Sequence, residues 1–159
     1  MFVLIGWSIF PPYGYDERQY CSPGFNLPVG CFMRTSHGEY PEYHTSADNL
    51  EFVAAEALQE SLEILLHAIH VIENDARFLN TNPCCEPQLG RRGLYRAIAG
   101  QKEGAQKEMA LLWVLNLSDG QHTLLDIAER ANTPFEVIHA AACALKECNL
   151  LEESRGGRP

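Results

Sequence analysis

Two stretches gather the side chains able to do chemistry. One is Asp16-Glu-Arg-Gln-Tyr-Cys-Ser-Pro-Gly-Phe-Asn-Leu-Pro28; the other is Tyr40-Pro-Glu-Tyr-His-Thr-Ser-Ala-Asp-Asn-Leu50. Asp16 precedes a Gly/Pro turn, and His44 sits in a polar loop just ahead of a helical pattern, so both are placed to point into a cleft. Carboxylate and neutral imidazole are ordinary zinc ligands, the first supplying charge and the second a firm nitrogen. A single Asp or His in a loop also hydrogen-bonds the local backbone, and residue type alone leaves both readings open. Cys21 with His44 lacks a third group to orient a thiolate nucleophile, and Cys21 reads as a small loop residue. Cys84 and Cys85 are adjacent, a spacing poorly suited to a disulfide. His67 and His70 share one helix face, where an interfacial or surface position is the plainer reading than a metal pair. His37, in the turn Ser36-His37-Gly38, reads as solvated.

The elements that must position these residues follow from apolar spacing. Phe2–Phe10 reads as a strand apolar on both faces, ended by Pro11-Pro12. Leu27–Arg34 is a candidate second strand between two polar loops. Apolar residues at 50, 53, 57/58, 62, 65/66, 69 and 72 predict a long amphipathic helix, with Asp48 and Glu51 as a capping pair. Residues 76–93, with two prolines, two glycines and no sustained period, read as a linker region. Three helices are expected beyond it, over 105–117, 122–131 and 134–148, then a short strand at Leu150–Glu153 and a frayed tail. The first of these helices has Ala105, Met109, Leu112, Trp113 and Leu117 on its apolar face. The predicted domains are 1–80, a linker at 81–87, a second domain at 88–153 and a disordered tail at 154–159.

Helix, helix, three-residue turn, helix and strand is the order of a winged helix-turn-helix. Thr123-Leu-Leu-Asp-Ile-Ala-Glu-Arg-Ala131, Asn-Thr-Pro and Phe135-Glu-Val-Ile carry it. Pro134 suits the first turn of the last helix, and Asn132 or Thr133 is its expected cap. A DNA-reading helix presents Arg, Lys, Asn or Gln to base edges. This one offers Glu136, His139, Lys146 and Glu147, which favours a structural or protein-interaction role. The cluster Gln88-Leu-Gly-Arg-Arg-Gly-Leu-Tyr95 reads as a linker whose arginines pair with the acidic first unit, a plainer reading than a phosphate or partner contact.

Tyr43-His-Thr-Ser-Ala-Asp48 before a long helix resembles the C-terminal metal motif of co-catalytic zinc aminopeptidases. With DERQYCSPGFNLPVG and EPQLGRRGLY in the same order, the chain from about Tyr15 to Leu151 resembles a bacterial aminopeptidase-like family, a peptidase-like domain followed by a winged helix. The resemblance implies an α/β remnant of one or two strands plus a long helix, then a mostly α winged helix-turn-helix domain. It also implies that Asp16 and His44 bind one zinc ion, that Tyr43 helps stabilise an oxyanion, and that Asp48 has a capping or supporting role. The implied reaction is metal-assisted hydrolysis of an amino-terminal peptide or amide bond, with a Glu as general base. The family's remaining ligands and its base lie upstream, yet the fourteen residues before Tyr15 hold no His, Asp or Glu. The expectation is an incomplete site, inactive alone. The alternatives are a winged-helix DNA-binding regulator and a non-catalytic interaction module.

Composition agrees with a folded chain: of 159 residues, 46% are hydrophobic and 21% charged. The net charge of −9 argues against a general nucleic-acid binder. It resides wholly in residues 1–87, with three basic and twelve acidic side chains, while residues 88–159 carry nine of each. No apolar run reaches the roughly 20 residues of a membrane span, and no signal-peptide pattern is present. A cytoplasmic location with six reduced cysteines is therefore expected. An exposed edge of strand 2–10 would favour self-association.

Overall fold

The computed structural model describes residues 14–95 and 102–154. The expected strand at 2–10 and the tail beyond Ser154 lie outside them. The chain divides into two compact units, Met1–Ile64 and Leu65–Pro159.

In the first unit a five-residue helix, α1 (Asp16–Tyr20), leads into a run of turns. Leu27 N–H donates back to the Tyr20 carbonyl, and the Cys21 thiol donates to the carbonyls of Leu27 (3.2 Å) and Val29 (3.3 Å). These bonds hold residues 26–33 as an irregular loop instead of the expected strand. Pro28, without an N–H, also removes a ladder donor there. The long helix, α2 (Ala55–Asn74), starts five residues later than the apolar spacing suggested. The reason is local: Asn49 Oδ1 accepts from Glu51 N–H, and the Asn49 carbonyl accepts from both Phe52 and Val53. That closes a separate turn and displaces the expected Asp48–Glu51 cap. Arg34 ties the loop to α2, donating to the Ala57 carbonyl (2.9 Å) and pairing with Glu60 Oε2 (2.9 Å).

The second unit is a winged helix-turn-helix. Its three-stranded antiparallel sheet has the order β2-β1-β3, with β1 at Arg77–Asn80, β2 at Asp119–Thr123 and β3 at Leu151–Glu153. Phe78 faces Glu153 and Asn80 faces Leu151 in one ladder, while Arg77 faces Thr123 in the other. The central strand therefore comes from residues read as the end of the first domain. Four residues, RFLN, are too few to show a period, and their partners lie at least 40 positions downstream.

The helices are α3 (Lys102–Leu117), α4 (Leu124–Ala131) and α5 (Phe135–Glu147). Residues 119–123, expected in part as helix, are β2. The first N–H groups of α4 are all satisfied: Leu124 by the Ala76 carbonyl, Leu125 by Asp75 Oδ1 (2.9 Å) and Asp126 by Thr123 Oγ1 (3.2 Å). Asp126 returns a bond to Thr123 N–H, completing a capping box. Asn132, expected to start α5, instead ends α4 in the left-handed conformation at φ 47°, and Pro134 occupies the N-cap of α5. An asparagine tolerates that conformation because its short amide bonds locally.

The core is built by Val114, Leu124, Ile127, Ile138, Leu145 and Leu150, with Leu89 driven into it from a 3-10 turn at Leu89–Arg92. The buried face of α3 is Ala110, Leu111, Val114, Leu115 and Leu117, Leu112 and Trp113 pack partly buried against the core, and Met109 is exposed. Of the stripe expected on α3, Leu117 is buried and Leu112 and Trp113 flank the core, whereas Ala105 and Met109 face outward, since the second half of α3 is apolar on most sides and its sequence alone does not fix the inward face. Among the described residues no helix is long and apolar enough to cross a membrane.

Candidate functional site

Asp16 opens α1 and His44 lies in the turns at 40–49; both are exposed. The structure brings their sequence neighbours into contact. Tyr15, beside Asp16, sets its hydroxyl 3.0 Å from that of Tyr43, beside His44. The Tyr43 ring stacks on the His44 imidazole, with centroids 4.1 Å apart and planes 19° apart. His44 reaches this pose through a left-handed backbone at φ 57°, a conformation uncommon for a residue with a Cβ. His37 is edge-on to Tyr15 at 4.9 Å, so it belongs to the same aromatic cluster although it is exposed. Tyr40 meets Tyr43 edge-on at 5.4 Å and stacks on Phe52 at 5.9 Å.

This cluster, rather than regular secondary structure, positions Tyr43 and His44. Sequence reasoning singled out Tyr43 and His44 but passed over Tyr15 and Tyr40. Their recurrence beside each candidate ligand was the available signal. The Cys21 thiol is spent on loop carbonyls. Asp48 N–H donates to the Thr45 carbonyl within the turns.

Among the described residues no group of three or more His, Cys, Asp or Glu side chains is arranged to hold a metal ion. Asp16 and His44 would supply two ligands, short of the three or four of stable zinc sites. The residues present therefore do not by themselves fit a zinc ion.

The two helical histidines part company. His67 is exposed, whereas His70 is half-buried in the second unit, edge-on to Phe135 (6.0 Å) and to His139 (5.6 Å). Asn74 Nδ2 donates to the His70 carbonyl at 2.7 Å and lies 3.1 Å from His70 Nδ1. Burial, and then the neighbouring His70, push the His139 imidazole below its ordinary range. His70 and His139 are packing histidines.

Arg92 Nη1 donates to the Cys148 carbonyl at 3.1 Å, a cation placed at the C-terminal end of α5 where the helix dipole favours it. On the exposed side, α5 carries Glu136, Ala140, Cys143, Lys146 and Glu147.

Residues 76–153 match the model of a winged helix-turn-helix family, and residues 6–75 match that of a domain of unknown function (DUF4910). A Clostridium acetobutylicum protein named "Putative polysaccharide biosynthesis protein with aminopeptidase-like domain" is 50% identical over 143 residues, covering 90% of this chain and 33% of its own length. A crystal structure described as a "putative peptidase", also from Clostridium acetobutylicum, superposes with a TM-score of 0.78 at 46% identity, covering 91% of this chain and 31% of that one. The chain thus spans about a third of the length of these relatives. In sequence and fold the chain is thus similar to about a third of these aminopeptidase-like proteins, and it joins a DUF4910 segment to a winged helix-turn-helix domain.

Proposed function

We propose that the first unit carries half of a zinc-hydrolase site, with Asp16 and His44 as two ligands of one zinc ion and Tyr43 beside them as an oxyanion donor. The observation that carries this reading is the 3.0 Å contact between the Tyr15 and Tyr43 hydroxyls. It draws the neighbours of both ligands together although they are 28 positions apart. The parent activity is hydrolysis of an amino-terminal peptide or amide bond, and the setting is the cytoplasm. With two protein ligands, short of the three or four of stable zinc sites, the chain alone is expected not to hydrolyse such bonds. Tyr43 would orient its hydroxyl toward the substrate carbonyl through its bond to Tyr15, and the His44 ring stacked on it would limit its rotation.

The test is cobalt or zinc titration of the full chain with amidase assays in parallel. Weak metal binding that disappears in Asp16→Ala and in His44→Ala, without turnover, is the expected result. Binding insensitive to both substitutions, or zinc-dependent turnover lost in His44→Ala, would overturn the reading. Duplex DNA is not a proposed partner, because the exposed face of α5 offers two glutamates and one lysine.

A further inference from the structure

The long helix α2 holds no buried residue. Leu58, Leu62, Leu65, Leu66, Ile69 and Ile72 recur at helical spacing, so they share one face, and each is at least 43% exposed. That face runs about 21 Å along the helix axis. Val71, on another side of the helix, packs against the winged-helix core. Apolar exposure continues in the first unit at Phe25 (72%) and Leu50 (92%). An apolar stripe on a helix is stable when another element covers it, and a contiguous exposed patch marks a surface that meets a partner.

Two facts point to what covers this one. The relatives that are 46% and 50% identical match 90% or more of this chain with only about a third of their own length. About two thirds of each relative therefore has no counterpart here. A second copy is the poorer occupant. Residues 1–87, which include α2, carry three basic and twelve acidic side chains. Two copies joined through α2 would set two strongly acidic stretches together, and such charge opposes lasting pairing.

We propose that this face of α2 is the seat for the rest of a peptidase-like domain, the part of an aminopeptidase-like polypeptide that has no counterpart in this chain. The inference rests on the reading of the first unit as half a site, and it names where the other half docks. Asp16 and His44 fall short of a zinc ligand set by themselves, and the docked part supplies the remainder.

The probe is the part of the Clostridium acetobutylicum relative that this chain does not match. It is mixed with the full chain and followed by sedimentation velocity without added metal. A one-to-one complex is expected, replacing any concentration-dependent species of the chain alone. Leu62→Glu with Leu66→Glu should weaken that complex at least about tenfold. No complex at about 100 μM of each, a complex that the two glutamates leave intact, or a stable dimer of this chain that the added part does not dissolve would overturn the proposal. If the added part is insoluble by itself, this chain replaces the matching segment within the relative. The α2 amides should then exchange at least about tenfold more slowly than in the chain alone, and unchanged exchange would overturn the proposal. Zinc titration of the complex separates the two readings. A complex that binds zinc no more tightly than the chain alone supports the docking face and removes the half-site reading.

Discussion

Single side chains decide much of the second unit because each closes a specific vacancy in the backbone. Asp75 is a buried acid whose Oδ1 takes the Leu125 N–H at 2.9 Å, so it caps a helix 50 positions away. Asp75→Ala leaves that N–H without a partner and should cost about 1–3 kcal/mol in chemical denaturation. Asp75→Asn keeps an acceptor and should recover most of the loss. Thr123→Ala removes the local cap of the same helix and should cost about 1 kcal/mol. His139 supplies a pH dependence. Burial and His70 lower its folded value, so the unfolded chain takes up the proton first. Its contribution is present above the ordinary histidine value of about 6.5 and is lost as the pH falls below it. The urea midpoint should therefore drop between about pH 6.5 and 5, and His139→Gln should flatten that part of the curve. A curve unchanged by the substitution would rule the histidine out as its source.

At the scale of elements, helices were legible where one apolar stripe contrasts with polar neighbours. α4 and α5 fall within two residues of their expected limits because Leu124, Ile127 and Ala128, then Ile138, Ala141, Ala142 and Leu145, repeat at the helical period and are buried. β1 was not legible, since four residues gain a strand identity only from partners on both sides. The 3-10 turn at Leu89–Arg92 was hidden likewise: its composition is that of a linker, yet Leu89 is fully buried. Leu89→Ala should open a cavity and cost about 2–5 kcal/mol, whereas Arg91→Ala in the same turn should lie within about 0.5 kcal/mol of the parent. Equal effects would mean that the turn lies on the surface without plugging the core.

At the scale of the whole molecule, the amphipathic helix α2 has no buried residue, and Leu58 (62%), Leu62 (55%), Leu66 (54%) and Ile72 (70%) are exposed. An apolar stripe of that length left in water favours association. Sedimentation velocity should show species growing with concentration, and Leu62→Glu with Leu66→Glu should shift them toward monomer. A single monomeric boundary at all concentrations would remove the stripe as a sticky surface. The sequence by itself determined the order of two unlike units, the helices of the second and the candidate ligands of the first, because composition, helical period and motif spacing are local. Only the tertiary structure decided that 77–80 completes the winged-helix sheet, that Asp75 caps α4, and that Tyr15 joins Tyr43. Each of those depends on groups far apart in the chain finding a hydrogen-bond partner, and no local pattern encodes which distant partner that will be.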